Sequence, residues 1–273
     1  MPLIAITREM GSLGKDVAAA LGDELGLPVI YHEVIDHLAD RMRLRKSHVI
    51  RLLDGSAGLL ERLTADETSL SIFTADEIYA IAMKGGAVIR GWGATHLLRD
   101  VPHAISVRVC APFEVRKERM MERLATDDGE RVAEEIRVND EAHGAIMRRH
   151  FGVQWTEPEH YDIVLNTKRL AVDECVSEVM ALARSRLFAE TAASRQKLDD
   201  LSLAARVRAA LRRAPETREA QVHVASDTGR VTLSGASSTD EMLAFVEVAS
   251  AVPGVRDVSY RTNPGVEVRP RFH

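Results

Sequence analysis

The chain has 273 residues, 45% of them hydrophobic and 28% charged, with a formal net charge of −5; this is an ordinary globular composition with room for one large domain or two smaller ones. Aromatic residues make up only 4%, too few for a stacking platform for single-stranded nucleic acid, and the acidic balance gives no pull toward nucleic acid or an anionic membrane. The two cysteines, Cys110 and Cys175, fit no metal spacing and read as reduced core thiols; the start MPLIAITREMG is not a signal peptide and no apolar run approaches the ~20 residues that cross a bilayer, so the expected setting is cytoplasmic.

The first apolar run, Leu3–Ile6, reads as a buried strand, and Val17, Leu21 and Leu25 share one face of a helix that Gly26 and Pro28 end. Between them lies TREMGSLGKDV, Thr7–Val17. Gly11, Gly14 and Lys15 sit where a phosphate-binding loop would put them. That loop, however, requires Gly, four residues, then Gly-Lys-Ser/Thr; here Glu9 holds the first glycine position and Asp16 the hydroxyl position. Backbone N–H groups at such a strand–helix junction point outward, and the helix dipole adds positive character. Gly11, Ser12, Leu13, Gly14, Lys15 and Asp16 are therefore candidate phosphate ligands. Asp16 reaches Mg²⁺ through water or merely charges the helix start, and a glycine-rich turn with no ligand remains the alternative.

Further runs follow at Pro28–Tyr31, Ala87–Arg90, Ile105–Cys110 and Asp162–Leu165, separated by helical patterns at Val34–Met42, Ser47–Leu53, Glu77–Lys84, Pro112–Leu124, Arg131–His150 and Val172–Leu187. Strands alternating with helices imply a doubly wound parallel α/β sheet. Arg41, Arg43, Arg45 and Lys46 form a basic cluster after the second strand, near Asp36 and Asp40; the carboxylates bind an acceptor base or offset the arginines. Arg116, Arg119 and Arg123 share a helix face at i, i+3 and i+7, and Arg131 and Arg137 follow on the next helix. They face phosphate or pair with Glu114, Glu118 and Glu122. Asn166 and Thr167 end the last strand, either at the site or as a plain turn. The histidines form no metal set or triad.

From Leu187 the pattern changes. Leu187–Asp200 reads as a linker, with a helical form open. Leu201–Leu211 is an amphipathic helix, Gln221–Ala225 and Arg230–Leu233 alternate about the turn signal Asp227–Gly229, Glu241–Ala251 is helical and Val255–Tyr260 is a strand. A Pro-rich tail starts at Asn263. Arg206, Arg208, Arg212, Arg213 and Arg218 make the first helix of this module basic, with Val207 and Leu211 read as core.

The segments ITREMGSLGKDVAAALGDELGLP, GGAVIRGWGATHLL, VPHAISVRVCAPFEVRKERM and HYDIVLNTKRL, in that order, resemble the cytidylate kinase-like family of P-loop nucleoside monophosphate kinases. That family's loop runs Ser/Thr-Arg-Glu-x-Gly-Ser-x-Gly-Lys/Arg, which Arg8 and Glu9 match. The resemblance implies a P-loop doubly wound parallel five-stranded sheet with a helical lid over residues 1–188. It implies ATP with Mg²⁺ as donor and a nucleoside monophosphate, CMP or dCMP first, as acceptor. By the same resemblance Lys15, Arg116, Arg119, Arg123 and Arg131 serve catalysis, Arg41, Arg43, Asp36 and Arg90 bind the acceptor, Asn166 and Thr167 lie toward adenine, and Thr126–Glu130 belongs to the lid. Two positions depart from the pattern: Gly91-Trp92-Gly93 stands where Gly-Arg-Gly is usual, and Asp140 is followed at the third position by His143, not arginine.

DTGRVTLSGASSTDE and VPGVRDVSYRT resemble the BON family, a small αββαβ module, over residues 201–262, after a linker at 189–200 and before a tail at 263–273. The resemblance implies a docking or regulatory role for a protein or small-ligand partner. The expected function is ATP-dependent phosphoryl transfer modulated by this module; a weak or inactive nucleotide sensor signalling through it is the alternative, and a homo-oligomer stays open.

Overall fold

A computed structural model describes residues 2–53, 67–91, 93–219, 221–235, 237–263 and 266–268. Trp92 therefore lies outside the described residues. The chain divides into two compact units, Met1–Ala65 with Lys84–Thr191, and Asp66–Met83 with Ala192–His273.

In the first unit, β1 (Leu3–Arg8), β2 (Val29–Ile30), β3 (Ala87–Arg90), β4 (Ala104–Cys110) and β5 (Ile163–Asn166) form one parallel sheet in the order β2-β3-β1-β4-β5. β1 is central, with Leu3 opposite Ala87 on one side and Ala104 on the other. Its residues Leu3–Ile6 are all buried, the pattern of a strand covered on both faces. Helix α1 (Gly14–Leu25) packs Val17, Ala18 and Leu21 against Ile4, Ile6, Val107 and Val109, together with Cys175, Val179 and Met180 of α8 (Val172–Arg184). Gly26 at φ 62° closes α1 with backbone bonds to Gly22 and Asp23. The remaining helices of this unit are α2 (His32–Met42), α3 (Lys46–Leu53), the short α5 (Ala94–Leu97), α6 (Phe113–Leu124) and α7 (Gly129–Phe151). The chain leaves β1 for β2 on one side and returns at β4 on the other. The C-terminal end of β1 thus lies where strand order reverses, the usual ligand crevice of such sheets.

The second unit begins with α4 (Glu67–Met83), which packs along α9 (Ala192–Arg213). β6 (His223–Asp227), β7 (Arg230–Ser234), β8 (Asp257–Asn263) and β9 (Val266–Val268) make its sheet in that order. The β6–β7 turn places both Thr228 (φ 50°) and Gly229 (φ 86°) in the left-handed region, as a two-residue hairpin requires. Helices α9 and α10 (Thr239–Ser250) cover the sheet through Leu203, Val207, Leu211, Phe245 and Val246. Val207 and Leu211 are core, as expected.

Three features differ from the sequence reading. Helix α4 starts ten residues before the expected Glu77, because its apolar residues surround the helix and leave no stripe to detect. Helix α9 starts at Ala192, nine residues before the expected Leu201, so the stretch whose helical form stood open is its first part; Ser194 and Leu198 are buried there. β9 lies within the expected tail. No helix among the described residues is long and apolar enough to cross a membrane.

Candidate active site

The loop after β1 is shaped by backbone and hydroxyl bonds. Gly11 stands at φ 78° and Leu13 at φ 60°, and the successive turns direct Gly11–Lys15 around the start of α1. A Cβ on Gly11 would meet the Arg116 carbonyl oxygen at 2.7 Å, so glycine is demanded there by both angle and space. A Cβ on Gly14 would lie 2.6 Å from the Arg8 Cβ; its absence lets α1 begin against β1. Ser12, fully buried, donates its hydroxyl to the carbonyls of Glu9 (2.8 Å) and Val109 (3.0 Å), which pins the loop to β4.

Thr167 ties the loop to β5. Its hydroxyl donates to the Ser12 carbonyl at 2.9 Å, and Arg119 donates to that hydroxyl at 3.0 Å and to the Thr167 carbonyl at 2.7 Å. The resemblance implies the adenine side for Thr167, with a plain turn the alternative; its side chain lies under the loop, 1% exposed. Asn166 is exposed, and its side-chain oxygen accepts from the Lys168 N–H at 3.0 Å, an Asx turn.

A cavity of about 500 Å³ opens over this loop, lined by Arg8, Glu9, Gly11 to Asp16, Arg119, Met120, Glu122 and Arg123. It brings together Lys15, Arg119 and Arg123 with every loop residue expected from the sequence. Lys15 and Asp16 are exposed on the first turn of α1. Among the described residues no group of three or more His, Cys, Asp or Glu could hold a metal ion. The carboxylates on the cavity wall are Glu9, Asp16 and Glu122.

Arg116 and Arg131 are not in this wall. Arg131 is exposed and its N–H is bound by the Asp128 carboxylate that caps α7. Arg116 is turned inward, away from the phosphate-facing place expected of it. Its guanidinium donates to both oxygens of Asp140 (3.2 and 2.9 Å), to the carbonyls of Met10 (3.3 Å) and Ala111 (3.1 Å), and lies 3.4 Å from a Glu9 oxygen. The physical reason is the position of Arg116 one turn from the start of α6, directly beneath the loop. Glu9 in turn accepts from Arg108 at 2.6 Å and from the Ala111 N–H at 3.1 Å. Two partly buried acids and two buried arginines form one neutral network, which suits the arginines' burial far better than an unmatched charge.

His143 is also turned inward. Its Nε2 lies 3.3 Å from the Thr7 hydroxyl and its ring packs edge-on against Trp155 at 4.4 Å. Burial, with Arg8 and Arg108 nearby, holds its pKa down to about 4. The imidazole is therefore neutral at neutral pH and supplies no charge to a phosphate.

On the acceptor side the expected residues are dispersed. Arg43 caps α2 in the left-handed region at φ 55°, and Arg41 is exposed. Asp36 pairs with Lys46 at 2.8 Å, so that carboxylate offsets the basic cluster. Arg90 ends β3, because Gly91 (φ 79°) turns the chain out of the strand. Its side chain is buried, its guanidinium stacks 3.9 Å above the Tyr31 ring, and its Nε finds no hydrogen-bond partner. Burial lowers its pKa, opposed by Tyr31 and Asp16. A buried, stacked cation lacking a full set of acceptors is suited to an anionic group of a ligand. Sequence reasoning missed the partners: Glu9 and Asp140 for Arg116, and Tyr31 for Arg90. No local signal links them, since each pairing joins distant parts of the chain.

A sequence model described as the cytidylate kinase-like family matches residues 3–169, and one described as the BON domain matches 199–263. Among curated proteins none matches the chain. An uncharacterized protein from Eubacterium ventriosum is similar in structure, with TM-score 0.54 and 22% identity, over 68% of this chain and 100% of that one. Shikimate kinase from Bacteroides thetaiotaomicron matches with TM-score 0.40 and 13% identity over 67% of this chain and 99% of that one. YorR from Bacillus subtilis, solved with phosphorylated GDP, matches with TM-score 0.40 and 15% identity over 69% and 99%.

Proposed function

The chain belongs to the cytidylate kinase-like family, and from that premise we propose that it transfers the γ-phosphoryl group of ATP to a nucleoside monophosphate, CMP or dCMP first. The observation that carries this reading is the loop cavity, where the Gly11–Asp16 backbone and four cations, Arg8, Lys15, Arg119 and Arg123, converge. Phosphoryl transfer asks the protein mainly for positioning and for positive charge around three phosphoryl oxygens. Loop N–H groups and Lys15 hold the β- and γ-phosphates, and Arg119 and Arg123 offset the charge of the transferring group. Arg90, stacked on Tyr31, takes the acceptor's phosphate. Mg²⁺ would arrive with ATP and neutralise phosphate charge, with Asp16 as a water-mediated ligand. The connection between α6 and α7 closes over the site as a lid and excludes water.

A second reading has its own observation. Arg116, expected at the phosphates, is committed to acids and carbonyls, and His143, which stands where the family usually has arginine, is half-buried and neutral. Nucleotide binding with little transfer, signalled through the BON-like module, is the function that this favours.

Titration of ATP–Mg²⁺ against a panel of nucleoside monophosphates, following ADP release, decides between them. CMP-dependent turnover that falls by about 10²–10³ in Lys15→Ala supports the kinase. Binding without turnover supports the sensor, and absence of nucleotide binding refutes both.

A further inference from the structure

Arg116 joins three separate stretches of the first unit. Its carbonyl acceptors are Met10 in the loop and Ala111 at the start of α6, and its bidentate partner Asp140 lies in the middle of α7. Met10 directly precedes Gly11, whose positive φ begins the loop's turn. The Met10 side chain also packs against the apolar cluster between α6 and α7, which is centred on Met120, Val132 and Ile136. The loop is thus tied to the lid hairpin by its carbonyl and by its side chain. Almost one turn beyond Asp140, His143 reaches Thr7 on β1 at 3.3 Å. The Arg116 and Glu9 side chains are 7% and 13% exposed, and Asp140 is not in the cavity wall.

We propose that Asp140, acting through Arg116, is a positioning residue that roots the lid helix on the phosphate loop. Asp140 lies 12 residues from the Asp128 cap, which at the helical rise of about 1.5 Å per residue makes an arm of roughly 18 Å. The root at Asp140 and His143 fixes one end of that arm, and the 125–128 connection lies at the other. A phosphate held by the loop is then sensed at the root, and the arm closes over a loop already in register. Glu9 belongs to the same device: it holds Arg116 from the other side and is anchored by Arg108. The consequence is a split between binding and turnover. Ground-state ATP binding depends on loop amides and Lys15, whereas alignment of the transferring group depends on the rooted arm.

The test compares the full native chain with Asp140→Asn and Asp140→Glu. Without nucleotide, Asp140→Asn should move the amide resonances of Gly11–Gly14 and speed hydrogen exchange along α7 by about tenfold, with α8 unchanged as the internal control. With ATP–Mg²⁺ and the acceptor, kcat should fall by about 10- to 100-fold while KM for ATP changes by less than about threefold, and Asp140→Glu should recover part of the loss. Unmoved loop resonances with unchanged α7 exchange overturn the proposal. So does a fall in kcat that vanishes once the variants are assayed at temperatures where they are equally folded. If Asp140→Asn does not fold, Thr7→Val cuts the second tie alone and should move both readouts in the same directions, and no movement overturns the proposal. The turnover arm rests on the kinase reading. The nucleotide-free arm does not, so a chain that transfers nothing yet shows the loop and α7 responses retains the root and loses only that reading.

Discussion

His143 shows how one side chain can change its expected meaning. On the lid helix it stands where the family usually has arginine, which raises the prospect that arginine there would restore a phosphate contact. The structure directs the side chain inward, beside Arg8 and Arg108. His143→Arg should therefore place a third guanidinium in that interior, lower stability, and leave turnover no higher, as read by chemical denaturation and ADP release. The native imidazole also sets a pH dependence. Its folded-state pKa of about 4 lies below the ordinary value near 6.5, so the unfolded state takes up the proton first. Its contribution is complete above about pH 6.5 and is lost as pH falls toward 4, by up to about 3 kcal/mol. His96, also held at about 4 by burial, acts in the same direction. Urea denaturation at pH 7 and 4.5 should show a smaller acid loss in His143→Gln than in the native chain.

The β1–loop–α1 element owes its form to contacts from two later strands. Ser12 bonds to β4 at Val109, and Thr167 at the end of β5 bonds to Ser12 and receives Arg119. Thr167→Val keeps the shape and removes the hydroxyl. It leaves the Ser12 carbonyl and an Arg119 N–H without partners, at a cost of about 1–3 kcal/mol. The loop and an arginine of the cavity wall then loosen together, so ATP affinity should fall along with the denaturation midpoint. A native ATP affinity in the variant would show that the loop holds its shape without β5. The three arginines of α6 share one face, as spacing alone predicts. What that face meets changes along its length: Arg116 lies beneath the loop, and Arg119 and Arg123 reach the cavity.

For the whole molecule, helix α4 is the telling case. In sequence it lies within residues 3–169, the stretch matching the kinase-like family, yet it belongs to the second compact unit. Within that unit Arg212 donates to Ser69 at 2.7 Å, and Arg213 reaches Asp76 at 3.5 Å and stacks near Phe73. The arginines of α9, read as a basic face, thus serve in part to hold α4. A chain ending at Thr191 lacks α9 and leaves the apolar α4, with Leu70, Phe73, Ile78, Tyr79 and Ile81, short of its partner. Such a truncation should bind a hydrophobic dye and scatter light at concentrations where the full chain does neither. A clean monomeric truncation would show that α4 packs adequately without α9.

The sequence by itself determined what depends on neighbours in the chain. Alternating apolar runs placed all five parallel strands, Gly11, Gly14 and Lys15 marked the strand–helix loop, and Asp227–Gly229 marked the hairpin, because strand burial, helix periodicity and positive φ are local demands. Tertiary structure alone decided which charges are available. Glu9, Arg108, Arg116 and Asp140 come from the loop, a strand and two helices, and they neutralise one another only once the sheet brings them together. A buried cation needs a partner or a ligand: Arg116 has Glu9 and Asp140, Arg8, Lys15, Arg119 and Arg123 line the cavity, and Arg90 sits on Tyr31 with its Nε unmatched.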